Sequence, residues 1–146
     1  MAEPRPWQEP FEIRDLVLRR DERGFLFEVL RFVDDGVPAE GQVYVFSVEP
    51  GRRRGDHYHL HKQEWFTCVQ GKVTVLLRAP DGQRHACELS PDTPQVIYAG
   101  PGTAHALRNE GAETAVIVSY GSRQHDHADP DTFRQRADED AGAPDR

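Results

Sequence analysis

Hydrophobic and polar residues alternate in short runs along most of the chain between residues 12 and 120. The runs are rich in Val, Ile, Phe and Tyr, and a period of two places every second side chain on one face of a β-strand. Segments typical of tight turns separate them, such as EPG, QGK, APDGQ, SPDTP, AGPGT and NEGAE. The pattern predicts ten strands, at residues 12–18, 25–32, 42–49, 53–59, 65–70, 72–78, 84–90, 95–99, 104–109 and 114–120.

Ten short strands joined by tight turns predict an all-β sandwich or small barrel. The sequence contains no internal repeats. One short helix is predicted near residues 130–136. Residues 1–10 contain three prolines and no periodicity, so we expect a flexible N-terminal arm. Residues 134–146 are charged and lack large apolar side chains, which predicts a disordered tail. The β-barrel domain is therefore expected at residues 11–133.

Composition narrows the classes of partner. The net charge of −7 argues against nucleic acid, because binding to phosphate backbones requires a basic face. No apolar run approaches the roughly 20 residues that cross a bilayer. The N-terminal MAEPRPWQEP lacks the basic start and apolar segment of a signal peptide, so we expect a cytoplasmic protein with no membrane partner. Cys68 and Cys87 lie in alternating apolar stretches and are expected to be buried free thiols.

Candidate chemistry is concentrated in GDHYHLHKQEWFTCVQG, residues 55–71, where three of the seven histidines occur within five positions. On a strand, His57 and His59 project to the same face. The following LHKQ is the least strand-like part of this stretch. If LHKQ forms a loop, the side-chain alternation is reset there, and Glu64 can point at the same spot. Imidazole nitrogens with a carboxylate suit a Zn, Ni, Fe or Mn ion.

The remaining histidines divide into one further ligand candidate and several weaker ones. His105 follows the turn AGPGT at residues 99–103, whose glycines let the backbone bend sharply, and it supplies a fourth ligand. His61 lies in the predicted loop and is expected at most to contact a substrate or support the ligands. The HDH at residues 125–127 has ligand spacing but lies in a polar segment, which favours solvated surface. His85 is interpreted as an ordinary strand residue.

Two motifs formed by these residues resemble those of the cupin superfamily. The spacing H-x-H-x4-E-x6-G is met by His57, His59, Glu64 and Gly71, and G-x-x-H-x3-N by Gly102, His105 and Asn109. The resemblance implies a double-stranded β-helix, also called a jelly-roll barrel, with one divalent transition metal in its mouth. The implied ligands are His57, His59, Glu64 and His105, and zinc is the first choice of metal. The turn departs from the family pattern, because Gly100 stands where proline is usual and Pro101 follows it.

The flanking sequence resembles sugar-nucleotide enzymes within this superfamily. RRRGDHYH at residues 52–59 is similar to a motif of cupins acting on nucleotide-linked 4-keto-6-deoxy sugars, including 3,4-ketoisomerases. DERGFLFEVLR at residues 21–31 is similar to a segment of dTDP-4-dehydrorhamnose 3,5-epimerases. Residues 55–72 and the DPDTF at 129–133 resemble the C-terminal cupin domain of bifunctional capsular polysaccharide enzymes that act on UDP-linked 4-keto amino sugars. The resemblance covers roughly residues 40–133.

The implied reaction is epimerisation or isomerisation by removal of a proton next to the ketone of a nucleotide-linked 4-keto-6-deoxy sugar. A liganded imidazole has no free lone pair, so His57 is not expected to be the base. The remaining candidates for proton transfer are His61, Lys62, Tyr98 and a metal-bound water, of which His61 and the water are preferred. Tyr98, on the strand that leads to His105, is expected to line the mouth, whereas Tyr58 is predicted to face away from the metal.

Two arginines are candidates for binding the nucleotide diphosphate of that substrate. Guanidinium groups bind phosphate oxygens in pairs, which makes Arg53 and Arg54 the candidates. Strict strand alternation predicts that Arg53 shares the face of His57 and that Arg54 lies on the other face.

Two other functions and one assembly state stay open at this point. Cupins with three histidines and one glutamate also include metal-dependent oxygenases, and some cupins bind sugars or small molecules without turnover. The apolar FLFEVLRF at residues 25–32 suits the interface of a homodimer, which we expect, but it equally suits a core.

Overall fold

The computed structural model describes residues 5–138, which form strands and loops without a helix. The predicted all-β class is therefore confirmed, and the alternating pattern located most strands within one or two residues. The strands are β1 (Phe11–Asp15), β2 (Arg19–Asp21), β3 (Gly24–Leu26), β4 (Gln42–Val48), β5 (Arg53–Tyr58), β6 (Glu64–Gln70), β7 (Val73–Arg78), β8 (Arg84–Leu89), β9 (Gln95–Ala99), β10 (Ala104–Arg108), β11 (Ala115–Gly121) and β12 (Phe133–Arg134).

Two five-stranded antiparallel sheets pack face to face. Their orders are β1-β9-β6-β11-β4 and β12-β5-β10-β7-β8, and β2 and β3 form a separate hairpin. The core lies between the sheets, where Phe66 and Ile117 of the first sheet pack with Val75, Leu77 and Leu107 of the second. These residues occupy alternate positions of their strands, so the period of two in the sequence identifies the core face.

The predicted strand at residues 25–32 is wrong beyond its first positions. Only Gly24–Leu26 pair, as β3, because the partner strand β2 is three residues long. Phe25 and Leu26 are 49% and 58% exposed. Val29 and Leu30, in irregular chain, pack instead against an aromatic cluster on the outer face of the first sheet. The apolar run is therefore divided between an exposed hairpin and a segment packed on the first sheet, and it does not form one continuous strand.

The described part of the N-terminal arm is packed against the first sheet. The Trp7 ring lies 6.0 Å from that of Trp65 and 5.7 Å from that of Tyr98, and the Arg14 guanidinium lies 3.5 Å from the Trp7 ring centre. This contrasts with the flexible arm predicted for residues 1–10, of which 1–4 lie outside the described residues.

The C-terminal boundary also differs from the prediction. Residues 130–136 contain no helix, and Phe133–Arg134 form β12, which pairs with β5. Ala137 is 1% exposed. Residues 134–138 thus belong to the folded domain, and the rest of the predicted tail, residues 139–146, lies outside the described residues. Backbone pairing, which composition cannot anticipate, holds this polar segment in place.

Both cysteines are free thiols, as predicted, with Cys68 buried and Cys87 partly buried. Residues 5–138 also contain no helix long and apolar enough to cross a membrane.

Candidate metal centre and cavity

A β-bulge in β5 decides which side chains enter the site. His57 pairs with His105 on β10, but the next residue of β10 pairs with Gly55, so Asp56 has no partner on β10. Gly55 and Asp56 have φ angles of 94° and 62°. A Cβ at position 55 would lie 2.6 Å from the carbonyl oxygen of His105, so glycine is required where the strands approach. An extra residue of this kind inverts the alternation of the strand beyond it.

The bulge overturns the predicted orientation of the two arginines. Counting through it, Arg54 shares the inner face with His57, whereas Arg53 lies on the outer face. The Arg53 guanidinium there forms ion pairs with Asp56 at 2.6 Å and with Asp138 at 2.9 Å. The Arg53 guanidinium therefore holds the C-terminal segment on β5. Both arginines contribute atoms to the cavity lining, but of the two predicted phosphate ligands only Arg54 extends from the inner face of the strand.

The four predicted metal ligands converge at one end of the space between the sheets. The ligating nitrogens of His57, His59 and His105 lie within 4.8 Å of one another. Glu64 places one oxygen 3.2 Å from Nε2 of His59 and the other 2.9 Å from Nε2 of His105. His59, Glu64 and His105 are each 3–4% exposed. The loop at residues 60–63 does reset the alternation, which brings Glu64 to the histidines.

Backbone carbonyls orient two of the imidazoles. The Nδ1 atom of His59 lies 2.7 Å from the carbonyl oxygen of Asp131, and that of His105 lies 3.2 Å from the carbonyl of Thr103. A carbonyl can only accept, so Nδ1 carries the proton in both rings. In the neutral rings, Nε2 then presents a lone pair toward Glu64, the arrangement found in metal-ligating histidines.

Burial and charge together determine how the cluster is protonated. Burial lowers the pKa of His57 to about 4, and the neighbouring His105 adds to this effect. Burial also acts to lower the pKa of His105, but the adjacent Glu64 carboxylate outweighs it, so this pKa is raised. Burial acts to raise the pKa of Glu64, but His105 and His59 hold it well below its usual range. The buried carboxylate thus requires a positive partner.

A divalent transition metal fits this donor set. Nε2 of His59 is buried without a hydrogen-bond partner, although it lies near the Glu64 oxygen. Two imidazole lone pairs facing a carboxylate repel it unless a proton or a cation lies between them. A cation would satisfy His59, His105 and Glu64 at once, and His57, neutral at physiological pH, completes a nitrogen and oxygen set of the kind zinc prefers.

The sequence did not single out Tyr44, which contacts this cluster. Its hydroxyl donates to Oε1 of Glu64 at 2.7 Å, and burial followed by the Glu64 charge raises the Tyr44 pKa. Alternation in QVYVFSV places Tyr44 and Phe46 on one face of β4. That pattern shows a shared face, but only the pairing of β4 with β11 and of β11 with β6 brings Tyr44 near Glu64.

A cavity of about 490 Å³ extends from the cluster toward solvent. Its inner end is polar and its walls are apolar, and Arg54 near the exit donates to the carbonyl of Ser47 at 2.7 Å, with its guanidinium 5.8 Å from the Phe46 ring centre. The lining residues are Tyr44, Phe46, Arg53, Arg54, Gly55, His57, Glu64, Phe66, His105, Leu107 and Ser119.

The structure separates the three predicted proton-transfer residues. Lys62 reaches the cluster, with Nζ 3.1 Å from Oε1 of Glu64, but it approaches from outside the cavity lining. His61 is exposed and does not line the cavity. Tyr98 pairs with Trp65, so it faces away from Glu64, and its hydroxyl contacts Gln63 and Glu9. The prediction that Tyr98 faces the mouth is wrong, because it lies one residue out of phase with the inward positions.

The other predictions for single residues agree with the structure. Tyr58 faces outward and stacks on Phe133 at 5.4 Å between ring centres. His125 and His127 are exposed and belong to no candidate metal group among the described residues. His85 lies on β8 and stacks on Phe11.

Two antiparallel sheets enclose a cavity lined by His57, His105 and Glu64, with His59 in contact with the same cluster, and this arrangement defines the protein as a cupin. The chain belongs to the family described as the polysaccharide biosynthesis C-terminal domain, which matches residues 19–133. The resemblance noted in the sequence is thereby confirmed at the level of superfamily and family.

The relatives that match this chain carry the names of a glycan biosynthesis epimerase and a nucleotide-sugar reductase. The chain is 29% identical to a probable low-salt glycan biosynthesis epimerase from Haloferax volcanii, covering 84% of each protein. It is 28% identical to a UDP-2-acetamido-2,6-beta-L-arabino-hexul-4-ose reductase from Pseudomonas aeruginosa, with 82% of this chain matching 31% of the reductase. The chain thus spans about a third of that enzyme. A dTDP sugar isomerase from Desulfovibrio desulfuricans has the same fold, with a TM-score of 0.78 and 20% identity over 89% of this chain and 86% of that one.

Proposed function

We propose that this protein is an epimerase or isomerase of a nucleotide-linked 4-keto-6-deoxy sugar and that it acts by moving a proton on the carbon next to the ketone. The observation that carries the proposal is the cavity, which extends from the candidate metal ligands to the exposed Arg54. The end-to-end similarity to a glycan biosynthesis epimerase supports the same reaction class.

The two ends of the cavity suit the two ends of such a substrate. The exposed Arg54 offers paired donors to a diphosphate. Phe46, Phe66 and Leu107 form an apolar wall against which the methyl group and carbon face of a deoxysugar can pack. The polar groups of the sugar then face the histidines and Glu64.

The cluster would hold a divalent transition metal through His57, His59, His105 and Glu64, with zinc the first choice. When bound there, the ion supplies Lewis-acid stabilisation to an oxyanion next to the reacting carbon. Glu64 lowers the net charge of the site and keeps the two imidazoles that face it aligned.

We propose Tyr44 as the proton donor on the cavity wall, in place of Tyr98. It returns a proton to the enolate carbon after a water molecule in the cavity has taken up the proton removed next to the ketone. Its raised pKa keeps the hydroxyl protonated at neutral pH, and its hydrogen bond to Glu64 fixes its position. Lys62 contacts the same carboxylate oxygen and adds a positive charge beside it. Tyr44 and Lys62 are thus linked through Glu64, so the proton that Tyr44 gives up can be replaced from the Lys62 ammonium across the Glu64 carboxylate.

Isotope exchange tests the proposed reaction. The metal-loaded protein is incubated in D2O with UDP- and dTDP-linked 4-keto-6-deoxy sugars, and deuterium is located by NMR. We expect deuterium at C3, or at C3 and C5, and none with His59→Ala. A metal-loaded protein that exchanges no proton of any of these sugars would contradict the proposal and favour an oxygenase or a binding protein, which oxygen consumption and ligand titration would then distinguish.

We also propose that the protein is a homodimer in which the β2–β3 hairpin contacts the second copy. Phe25 and Leu26 of the predicted interface are 49% and 58% exposed, and the nearby Val17 is 67% exposed, so these side chains are not used in the core. Analytical ultracentrifugation should show a dimer that Leu26→Glu weakens, while Leu60→Glu, at an exposed leucine on the loop between β5 and β6, leaves it unchanged. A wild-type monomer at all concentrations tested would contradict this assembly.

A further inference from the structure

Asp131, far from the motifs in sequence, contacts the loop that joins the metal-ligand candidates. Its carboxylate accepts hydrogen bonds from three consecutive backbone N–H groups, those of Leu60 at 2.9 Å, His61 at 3.0 Å and Lys62 at 3.0 Å. This loop connects His59 to Glu64. One carboxylate satisfying three successive donors holds the loop in a single conformation. The directions of the residues at its two ends are set by that conformation.

The backbone of the same residue holds one of the ligands directly. The carbonyl oxygen of Asp131 accepts from Nδ1 of His59 at 2.7 Å. This places the ring proton on Nδ1 and leaves Nε2, which is buried without a hydrogen-bond partner, directed at the cluster. His105 obtains its orienting carbonyl from Thr103 on its own chain segment, whereas His59 depends on a residue 72 positions away.

Asp131 is itself anchored, so it can orient its neighbours. It has a φ of 48°, in the left-handed region that aspartate, asparagine and glycine tolerate best. Two residues later Phe133 pairs with Tyr58 on β5 and stacks on its ring. The segment that carries Asp131 is therefore held on the second sheet by its pairing with β5, the strand that carries His57.

We propose that Asp131 is a positioning residue of the metal centre, which holds His59 with Nε2 free and places Lys62 beside Glu64. The carboxylate acts through the loop amides and the carbonyl acts on the imidazole. The inference rests on the proposed metal centre, and it assigns to the segment after β11 a role in the site. Groups that orient a metal ligand in this way typically contribute 10- to 100-fold to metal affinity.

The test compares Asp131→Gly with Asp131→Asn and with a matched control, Asp129→Gly. Glycine keeps the left-handed backbone and removes only the carboxylate, while asparagine keeps the shape and one acceptor oxygen. Asp129 is an exposed aspartate two positions earlier, so its replacement controls for added glycine flexibility in the same segment. Two quantities are measured: the Co²⁺ dissociation constant by chelator competition, and the His59 tautomer by long-range ¹H–¹⁵N NMR of the metal-free protein.

We expect Asp131→Gly to weaken Co²⁺ binding 10- to 100-fold, with Asp131→Asn intermediate and Asp129→Gly unchanged. Both Asp131 variants keep the backbone carbonyl, so the His59 tautomers should mix only because the released loop moves Nδ1 away from that carbonyl. If both Asp131 variants keep wild-type affinity and the Nδ1–H tautomer, Asp131 has no positioning role and the metal centre stands. If the wild type itself binds no Co²⁺, the proposed metal centre fails and this inference fails with it. Asp131→Asn, which is isosteric, keeps the comparison meaningful should the glycine variant unfold.

Discussion

Glu64 is the residue with the most demanding surroundings in this protein. It is 4% exposed, and its two oxygens contact His59, His105, Tyr44 and Lys62. A buried carboxylate is tolerated only when it is neutralised and hydrogen-bonded, so these partners explain why it can stay ionised. The sequence identified Glu64 and both histidines from spacing, but it gave no sign of Tyr44, whose proximity depends on strand order.

Removal of the Tyr44 hydroxyl tests its part in the reaction. Tyr44→Phe keeps the ring and deletes the donor to Glu64, which should lower turnover 10- to 1,000-fold while the protein retains metal. The matched control is Tyr98→Phe, which loses a hydroxyl on the opposite face of the sheet and should keep turnover within about threefold. Steady-state kinetics and metal analysis measure both. Equal turnover in Tyr44→Phe and wild type would exclude Tyr44 from proton transfer.

The chemistry of Cys68 follows from its burial. The side chain is 0% exposed, and burial raises its pKa to about 11. At pH 8 only about one thiol in a thousand is then ionised, and the thiolate is the form that reacts. We expect iodoacetamide to leave Cys68 unmodified in the native protein and to label it after denaturation, as read by peptide mass spectrometry. Rapid native labelling would show that this strand opens readily.

At the scale of elements, the bulge in β5 matters more for the site than the ends of any strand. Alternation together with turn signals located β4 to β11 within one or two residues, even though β6, β9 and β10 are buried on both faces. Strict alternation takes no account of an inserted residue, although Gly55 and Asp56 are both uncommon in regular strands. For this reason the sequence assigned Arg53 to the inner face of β5 and Arg54 to the outer face, the reverse of what the structure has. The apolar run at residues 25–32 failed for the related reason that pairing requires a partner strand.

Gly55→Ala should disrupt the bulge and the ligands beside it. The new Cβ would clash with the His105 carbonyl at 2.6 Å and would occupy a φ of 94°. We expect a loss of about 3 kcal/mol in unfolding free energy, together with weaker metal binding. The control is Gly82→Ala, at a φ of 92° with no atom within 4 Å, which should cost about 1 kcal/mol and leave metal binding intact. Denaturant titration compares the two, and equal losses would show that strain alone matters at position 55.

At the scale of the whole molecule, the cluster links the two sheets, because Glu64 lies on β6 whereas His57 and His105 lie on β5 and β10. A bound metal therefore connects both halves of the core, and a ligand that binds only the folded state stabilises it. The C-terminal segment adds a second connection through β12 and the Arg53 ion pairs. The stability of the fold and the geometry of the site should thus respond together to metal.

Metal removal should lower the melting temperature by a calculable amount. At a free Zn²⁺ concentration 100 times the dissociation constant, the gain is about 2.7 kcal/mol, which corresponds to roughly 8 °C for a domain of this size. Glu64→Gln should abolish the shift, while His85→Ala, outside the cluster, should keep it. Calorimetry with and without chelator provides the measurement. A shift that persists in Glu64→Gln would place the stabilising metal elsewhere.

The sequence by itself determined the all-β class, the cupin motifs and the four residues that meet at the cluster, because these depend on alternation and on fixed spacing along the chain. Tertiary structure alone decided which arginine enters the cavity, that Tyr44 replaces Tyr98 beside Glu64, and that Asp131 holds the loop between the ligands. Each of these depends on a bulge, on strand order or on a contact between distant segments. Such features arise from pairing in space, and local sequence patterns do not encode them.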